Sequence, residues 1–285
     1  MPFLCAALAL KRKAVKNLLK FGGVAVNGRT VRQFDHPLAA GDEVTVGTLR
    51  AAVAADNLEF AGIQVVFEDE ALIVLEKPAG LLTVATDRDK TDTLYFRLNA
   101  FLRGRDPQRP ERALVVHRLD KETSGLVLFA KSEAVQRLLQ GAWPEVEKVY
   151  WAVVKGCPNP EQGTITSYLT EAKSLRVFSN DQPTPAGRLS TTRYRRLQTR
   201  HGLSLLEIRL DTGRKHQIRV HLASIGCTVA GDRRYGTKRL DPCHRLGLHA
   251  GGLALAHPLT GKPLAFESPL PRALARLFPA PGTGR

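Results

Sequence analysis

The stretch Leu114–Ser132, which reads LVVHRLDKETSGLVLFAKS, carries the most informative pattern in the chain. Two apolar runs, Leu114–Leu119 and Leu126–Ala130, flank a polar segment that contains Asp120. Apolar runs of this length, bounded by turn residues, are typical of buried strands. The stretch therefore predicts two buried strands joined by a polar loop that presents Asp120.

Further runs with the length and composition of strands occur on both sides of this stretch. They are Ile63–Phe67, Leu72–Leu75, Val149–Val154, Arg188–Leu197 and Leu205–Leu210. Two helices are predicted between them, one that begins after Ser132 and ends at Gly141, and one that carries Ile218 and Leu222 before Gly226. Many strands and few helices indicate an α+β fold, with a mostly antiparallel, mixed sheet, flanking helices and a central cleft. Residues 103–112 and 279–285 are predicted as loop or tail.

The N-terminal region has a different pattern. The segment Leu8–Phe21 spaces apolar residues at helical intervals and places Lys13, Lys16 and Lys20 between them, which predicts an amphipathic helix with a basic face. That face either contacts phosphates or is simply solvated. The short strands predicted after this helix are Val24–Val26, Thr30–Val31 and Glu43–Val46, the first two joined by an Asn27-Gly28 turn.

Composition also suggests where the domains divide. Residues 51–62 include an Ala-rich segment without strong periodicity, as expected of a linker. We therefore expect a small α/β domain at 1–50, a linker at 51–62 and a larger domain at 63–280.

The charge of the chain indicates the kind of partner. The 42 Lys and Arg residues exceed the 27 Asp and Glu residues, which gives a net charge of +15 and a pI near 10.0. Such an excess attracts polyanions, although charge alone also fits a merely soluble basic surface. Because the basic residues are spread along the chain, we predict a folded surface that binds nucleic acid.

Other functional classes find little support in the sequence. The cysteines Cys5, Cys157, Cys227 and Cys243 are far apart in the chain, so neither a zinc site nor a disulfide framework is indicated. No apolar run approaches the roughly 20 residues that span a bilayer. The apolar start precedes the basic residues rather than following them, which argues against export and for the cytoplasm.

Asp120 has two interpretations when only its neighbours are considered. A carboxylate held beside Arg118 and Lys121 can serve as a nucleophile or as a base. An aspartate in a turn between strands is, however, ordinary turn chemistry, and spacing alone favours that second interpretation.

Several segments, in order, resemble the RluA family of pseudouridine synthases, and together they change this weighting. The segments that carry the resemblance are HRLDKETSG at 117–125, EKPAG at 76–80, EKVYWAVVKG at 147–156, TGRKHQIRVH at 212–221, GD at 231–232 with YG at 235–236, LHA at 248–250 and HPLTG at 257–261. They cover about residues 63–270 and are far more specific jointly than singly.

The resemblance implies a role for five residues. Asp120 matches the nucleophilic aspartate, and Tyr150 the tyrosine that stacks on the target base and helps to remove the C5 proton. Arg214 matches the basic residue that pairs with the aspartate. Arg118 matches an arginine that fills the gap left by the flipped nucleotide, and Ile218 is a candidate for an apolar contact beneath the base. Taken singly, each of these residues also fits a structural role.

The N-terminal region resembles the small RNA-binding module named after ribosomal protein S-four, on the residues Gly23–Gly28 and Gly41–Val44. This second resemblance implies that Lys13, Lys16 and Lys20 bind RNA. The expected protein is thus a monomeric, cytoplasmic enzyme that needs no cofactor and no metal and modifies RNA, ribosomal RNA rather than transfer RNA. The alternatives are a non-catalytic RNA-binding or ribosome-assembly protein on the same scaffold, and an Asp-dependent N-glycosidase that stops after cleaving the base.

Overall fold

The computed structural model describes residues 2–20, 23–47, 62–86, 92–105, 111–172, 174–236 and 242–279. The helices are α1 (Pro2–Ala7), α2 (Arg12–Lys20), α3 (Leu94–Arg105), α4 (Glu133–Gly141), α5 (Gln217–Ser224) and α6 (Arg272–Ala275). The strands are β1 (Val24–Val26), β2 (Arg29–Thr30), β3 (Val44–Val46), β4 (Gln64–Glu68), β5 (Leu72–Lys77), β6 (Leu114–Val115), β7 (Ser124–Ala130), β8 (Glu147–Lys155), β9 (Gln162–Glu171), β10 (Val177–Asn180), β11 (Arg188–Arg200), β12 (Leu203–Leu210), β13 (Leu248–Ala256) and β14 (Pro263–Glu267). The mixture confirms the predicted α+β class.

The described residues group into two compact units, one formed by Met1–Gln64 with Val84–Leu114 and one formed by Val65–Thr83 with Val115–Arg285. The predicted linker at 51–62 lies outside the described residues except for Gly62, so the predicted domain division stays a prediction. Arg103–Arg105, predicted as loop, belong to α3 instead.

In the first unit, α1 and α2 pack near a three-stranded antiparallel sheet of order β2-β1-β3. Val15, Leu18 and Leu19 of α2 are buried, as the helical spacing predicted. The helix starts later than predicted, at Arg12, because Ala9 adopts a left-handed φ of 49° that separates α1 from α2.

The second unit is built on a large sheet. Its main strand order is β10-β9-β11-β12-β8-β13-β7-β5-β4, with β14 paired to β13 and β6 paired to β7. Most neighbours are antiparallel, and β13 with β7 is the parallel pair. The sequence missed β9, which is mostly polar, β13, which is rich in Gly and Ala, and the short strands β10 and β14.

A glycine sets the distance between β7 and β13. Gly125 has φ 115°, and a Cβ placed there would lie 2.2 Å from the backbone oxygen of Ala250. Ala250 pairs in turn with Tyr150, and Tyr150 with Ile208. Gly125, Ala250 and Tyr150 therefore lie side by side on the neighbouring strands β7, β13 and β8, which are about 4.8 Å apart.

Candidate active site

Five residues singled out from the sequence line one pocket in the second unit. They are Arg118, Asp120, Tyr150, Arg214 and Ile218. The pocket has a volume of about 80 Å³. The loop before β7, strand β8 and the segment leading into α5 contribute these side chains, so the fold brings together three separate parts of the sequence. The chemical roles of the five residues remain predictions.

The loop that carries Asp120 is fixed through its backbone. The hydroxyl of Thr83 donates a hydrogen bond of 2.8 Å to the carbonyl of Leu119 and accepts one of 3.1 Å from the amide of the same residue. On the other side, the carbonyl of Lys121 accepts hydrogen bonds from the amide of Gly80 (2.8 Å) and the ammonium of Lys77 (3.2 Å). Both residues adjacent to Asp120 are therefore held in place.

Lys77 is fully buried and binds three backbone carbonyls in and around this loop. Its Nζ donates to the carbonyls of Pro78 (2.9 Å) and Leu81 (2.8 Å) as well as to that of Lys121. Burial lowers the pKa of Lys77 to about 7, while the nearby charges of Glu122 and Asp120 oppose this shift. Three carbonyl acceptors match the three N–H groups of an ammonium, so the geometry favours the charged form.

The cation that reaches Asp120 is Arg219. Its Nη1 lies 3.4 Å from Oδ2 of Asp120, and its other nitrogens form a bidentate pair with Asp232, at 2.8 and 2.9 Å. The resemblance had implied Arg214 as the partner of Asp120. Among the described residues Asp120 and Arg214 form no ion pair, and Arg214 is exposed at the pocket. The predicted pairing is thus replaced by one with Arg219.

His216 supplies a second nitrogen near the carboxylate. It adopts a left-handed φ of 54° at the start of α5, and its Nε2 lies 3.7 Å from Oδ2 of Asp120. Its Nδ1 is 2.8 Å from the hydroxyl of Tyr235. Burial lowers the pKa of His216, against the opposing effect of Asp120, so the imidazole is neutral at pH 7.

Tyr150 and Ile218 form the apolar side of the pocket. Tyr150 is half-buried on β8, while Ile218 is buried and packs against Leu222 and the sheet. Burial, and secondarily the charge of Asp120, raises the pKa of Tyr150 above its ordinary value, so its phenol stays protonated at neutral pH. Arg118 is exposed where the pocket meets solvent.

The predicted basic face of the N-terminal helix can be described only in part. Lys16 is exposed on α2, whereas the side chains of Lys13 and Lys20 lie outside the described residues. Within the described part of the chain, no group of His, Cys, Asp and Glu side chains could hold a metal ion, and no helix is long and apolar enough to cross a membrane.

Sequence reasoning missed five residues of this site: Lys77, Thr83, His216, Arg219 and Asp232. Four of them lie in or next to segments that had been recognised, EKPAG, TGRKHQIRVH and the GD pair, without a role being assigned. For Asp232 the sequence offers only its place in the recognised Gly-Asp pair, since its full burial and its pairing with Arg219 are visible only in the structure.

Comparisons with known proteins bear on the whole chain. A family model described as RNA pseudouridylate synthase matches residues 71–224. A Bacillus subtilis protein named as the uncharacterized RNA pseudouridine synthase YlyB is 36% identical over 274 residues, covering 94% of this chain and 88% of its own length. The ribosomal large subunit pseudouridine synthase D of Zymomonas mobilis is 32% identical over 287 residues, covering 94% and 89%.

A solved structure supports the fold. The human RNA pseudouridylate synthase domain containing 4 superposes with a TM-score of 0.62 at 23% identity, over 74% of this chain and 90% of its own. That similarity confirms the architecture of a large, mostly antiparallel sheet with few helices.

Proposed function

The chain belongs to the RNA pseudouridylate synthase family and is therefore an isomerase, and we propose that it converts uridine to pseudouridine in structured RNA with Asp120 as the nucleophile. The observation that carries this proposal is the position of the Asp120 carboxylate. It lies in a pocket beside Tyr150, 3.4 Å from the guanidinium of Arg219, on a loop whose backbone is fixed on both sides.

The reaction needs few groups from the protein. The bond between N1 and C1′ breaks, the uracil turns, and a bond between C5 and C1′ forms while the C5 proton moves to N1. Atoms and electrons balance within the nucleoside, so no donor or oxidant is required. A negatively charged oxygen of Asp120 can attack C1′ or C6 as a nucleophile, and the alternative route, removal of the C2′ proton, would use the same carboxylate as a base.

The target uridine has to leave its stack before it can reach this pocket. Base flipping costs a few kcal/mol, and an aromatic ring that stacks on the flipped base returns about 1–3 kcal/mol. We propose that Tyr150 supplies this ring, with Ile218 beneath the base and Arg118 filling the gap in the RNA. The raised pKa of Tyr150 supports stacking over a role as a phenolate base.

In this proposal, Arg219 and Arg214 have different electrostatic roles. Arg219, held by Asp232, stabilises the carboxylate of Asp120 in a site from which the bound base excludes water. Arg214 is exposed at the same pocket, and we propose that it contacts the RNA rather than the nucleophile.

The proposed substrate is ribosomal RNA, and the proposed place of action is the cytoplasm. Relatives from Zymomonas mobilis and Nitrosomonas europaea carry names that refer to the large ribosomal subunit. We further propose that Lys13, Lys16 and Lys20 of the N-terminal unit bind RNA phosphates, because they alternate with the apolar residues of α2.

The test is the variant Asp120→Asn with Asp35→Asn, an exposed site in the first unit, as the matched control. Both are incubated with ribosomal RNA and with transfer RNA transcripts, and pseudouridine is mapped by carbodiimide-dependent stops of reverse transcription. We expect no pseudouridine from Asp120→Asn, unchanged formation from the control, and retained RNA binding by both.

Two results would contradict the proposal. Pseudouridine formation by Asp120→Asn at the wild-type rate would remove Asp120 as the nucleophile. Release of free uracil by the wild-type protein would identify an N-glycosidase instead. Modification of transfer RNA alone would leave the chemistry standing and change the substrate.

A further inference from the structure

A second cavity borders the active-site pocket in the same unit. Its volume is about 710 Å³, much larger than the 80 Å³ of the pocket around Asp120. Arg219 lines both. The other arginines that line the second cavity, which we call the arginine cavity, are Arg176, Arg233, Arg234 and Arg245.

The positive charge of the arginine cavity is poorly balanced by the protein. Glu122 is the one acidic side chain among the described residues that line it. Arg219 is paired with Asp232, but no ion pair of Arg176 or Arg233 occurs within the described part of the chain. Guanidinium groups this close repel one another, so their assembly favours binding of an anion that neutralises them.

Hydrogen bonds and aromatic contacts fix the wall of the arginine cavity. The carboxylate of Asp232 accepts hydrogen bonds from the amides of Arg234 (2.9 Å) and Tyr235 (3.0 Å), which fixes the turn that carries these arginines. The ring of Tyr235 lies 5.3 Å from the guanidinium carbon of Arg219 and 5.5 Å from that of Arg176. Two of the cations are thus held against one aromatic ring.

We propose that the arginine cavity binds phosphodiester groups of the RNA strand next to the flipped uridine. This inference rests on the proposed function, because the strand has to continue away from a base held beside Asp120. Planar guanidinium groups match phosphate oxygens in a bidentate way, and five of the ten residues that line the cavity are arginines. The shared Arg219 connects the phosphate site to the reacting centre.

The experiment compares Arg233→Ala with Arg200→Ala in the full-length protein. Both remove one positive charge from an exposed side chain, but Arg200 lies at the end of β11 and lines neither cavity. Binding of a mixed-sequence oligoribonucleotide is measured at several salt concentrations, and KM is measured for pseudouridine formation in ribosomal RNA.

Arg233→Ala should weaken oligoribonucleotide binding about tenfold and raise KM similarly, since one charge-assisted contact is lost. The slope of log affinity against log salt should become shallower by about 0.7–0.9, the value for one phosphate. Arg200→Ala should leave affinity, slope and KM close to those of the wild type.

Two outcomes overturn the proposal of a phosphate site. An unchanged affinity and slope for Arg233→Ala would show that the cavity does not bind phosphate. Equal losses in Arg233→Ala and Arg200→Ala would show a general effect of net charge. If the wild type binds RNA with the expected slopes but forms no pseudouridine, the proposed function fails while the phosphate site stands, so the two failures are distinguishable.

Discussion

Two fully buried histidines should make the protein unstable in mild acid. His221 lies between the hydroxyls of Ser167 (3.0 Å) and Thr192 (2.9 Å). His249 lies between two serine hydroxyls at 2.8 and 2.9 Å. Burial lowers the pKa of each imidazole from 6.5 to about 4, so both stay neutral in the folded protein while the unfolded chain takes up protons.

The size of the effect follows from these pKa values. Above pH 6.5 these imidazoles are mostly neutral in both the folded and the unfolded state, so the free energy of unfolding has its full value. As the pH falls towards 4, only the unfolded state is protonated, so stability is lost. At pH 5.5 an unfolded histidine is protonated about ten to one, which removes about 1.4 kcal/mol from the free energy of unfolding per residue, or about 3 kcal/mol for His221 and His249 together.

Urea unfolding of the wild type and of single variants at pH 7.5 and at pH 5.5 isolates the contribution of each histidine, since His117, whose pKa burial lowers to about 3, adds to the total loss. Carboxylates contribute little in that window, since their unfolded pKa values lie near 4. We expect His221→Gln and His249→Gln each to reduce the difference between the two pH values by about 1.4 kcal/mol, whatever their effect on stability at pH 7.5. Exposed His201, replaced by Asn to suit its φ of 50°, is the control.

A pH difference that is equally large in His221→Gln, His249→Gln and the wild type would refute the argument. So would a reduction of about 1.4 kcal/mol in the His201→Asn control, because that side chain stays exposed to solvent in the folded protein.

Two further predictions concern the close strand contact at Gly125 and the ion pair of Asp232. Gly125→Ala should destabilise the protein by several kcal/mol in urea, because its Cβ would meet a backbone oxygen at 2.2 Å, whereas Gly202→Ala, also at positive φ but in open space, should cost about 1 kcal/mol. Asp232→Asn should lower kcat about tenfold while KM for RNA changes less than about threefold, since it loosens Arg219 beside Asp120; an unchanged kcat would show that Asp232 does not position Arg219.

Apolar patterning made much of the second unit predictable. The run after Asp120 forms the buried strand β7, and the runs at β8 and β12 form partly buried strands of the same sheet. The run before Asp120 forms a strand only at Leu114–Val115, which is half-buried, so the predicted buried strand Leu114–Leu119 is wrong beyond its first two residues. Ser132 caps α4 as expected, accepting from the amide of Val135 at 3.2 Å. Strand β9 was missed because most of its residues are exposed or half-exposed, so backbone pairing with β10 and β11 stabilises it and leaves no apolar signal.

Helix α3 was missed for another reason. Leu94, Leu98 and Leu102 are buried at helical spacing, but Arg97 and Asn99 are buried among them through hydrogen bonds, Arg97 to Asp92 at 2.6 Å. These polar residues on the buried face erase the amphipathic pattern. Burial of a polar side chain depends on a partner that local sequence does not reveal.

The choice between Arg214 and Arg219 could not be made from the sequence either. His216 takes a left-handed conformation between them, so the direction of each side chain depends on that turn rather than on helical spacing. The partner that fixes Arg219, Asp232, is separated from it by 13 residues and reaches it only in the folded structure.

Asp120, the nucleophile that we propose, and Asp232 differ in how the protein holds their carboxylates. Asp232 is fully enclosed and accepts two short bonds from Arg219 together with two from backbone amides, so any attack by its oxygens would first have to break those bonds. Thr83 and Lys77 bind the backbone of the residues on either side of Asp120, while among the described residues its side-chain oxygen has the longer contacts of 3.4 Å to Arg219 and 3.7 Å to an imidazole. Its position is therefore fixed while its lone pairs stay available, which is the combination that a nucleophile requires.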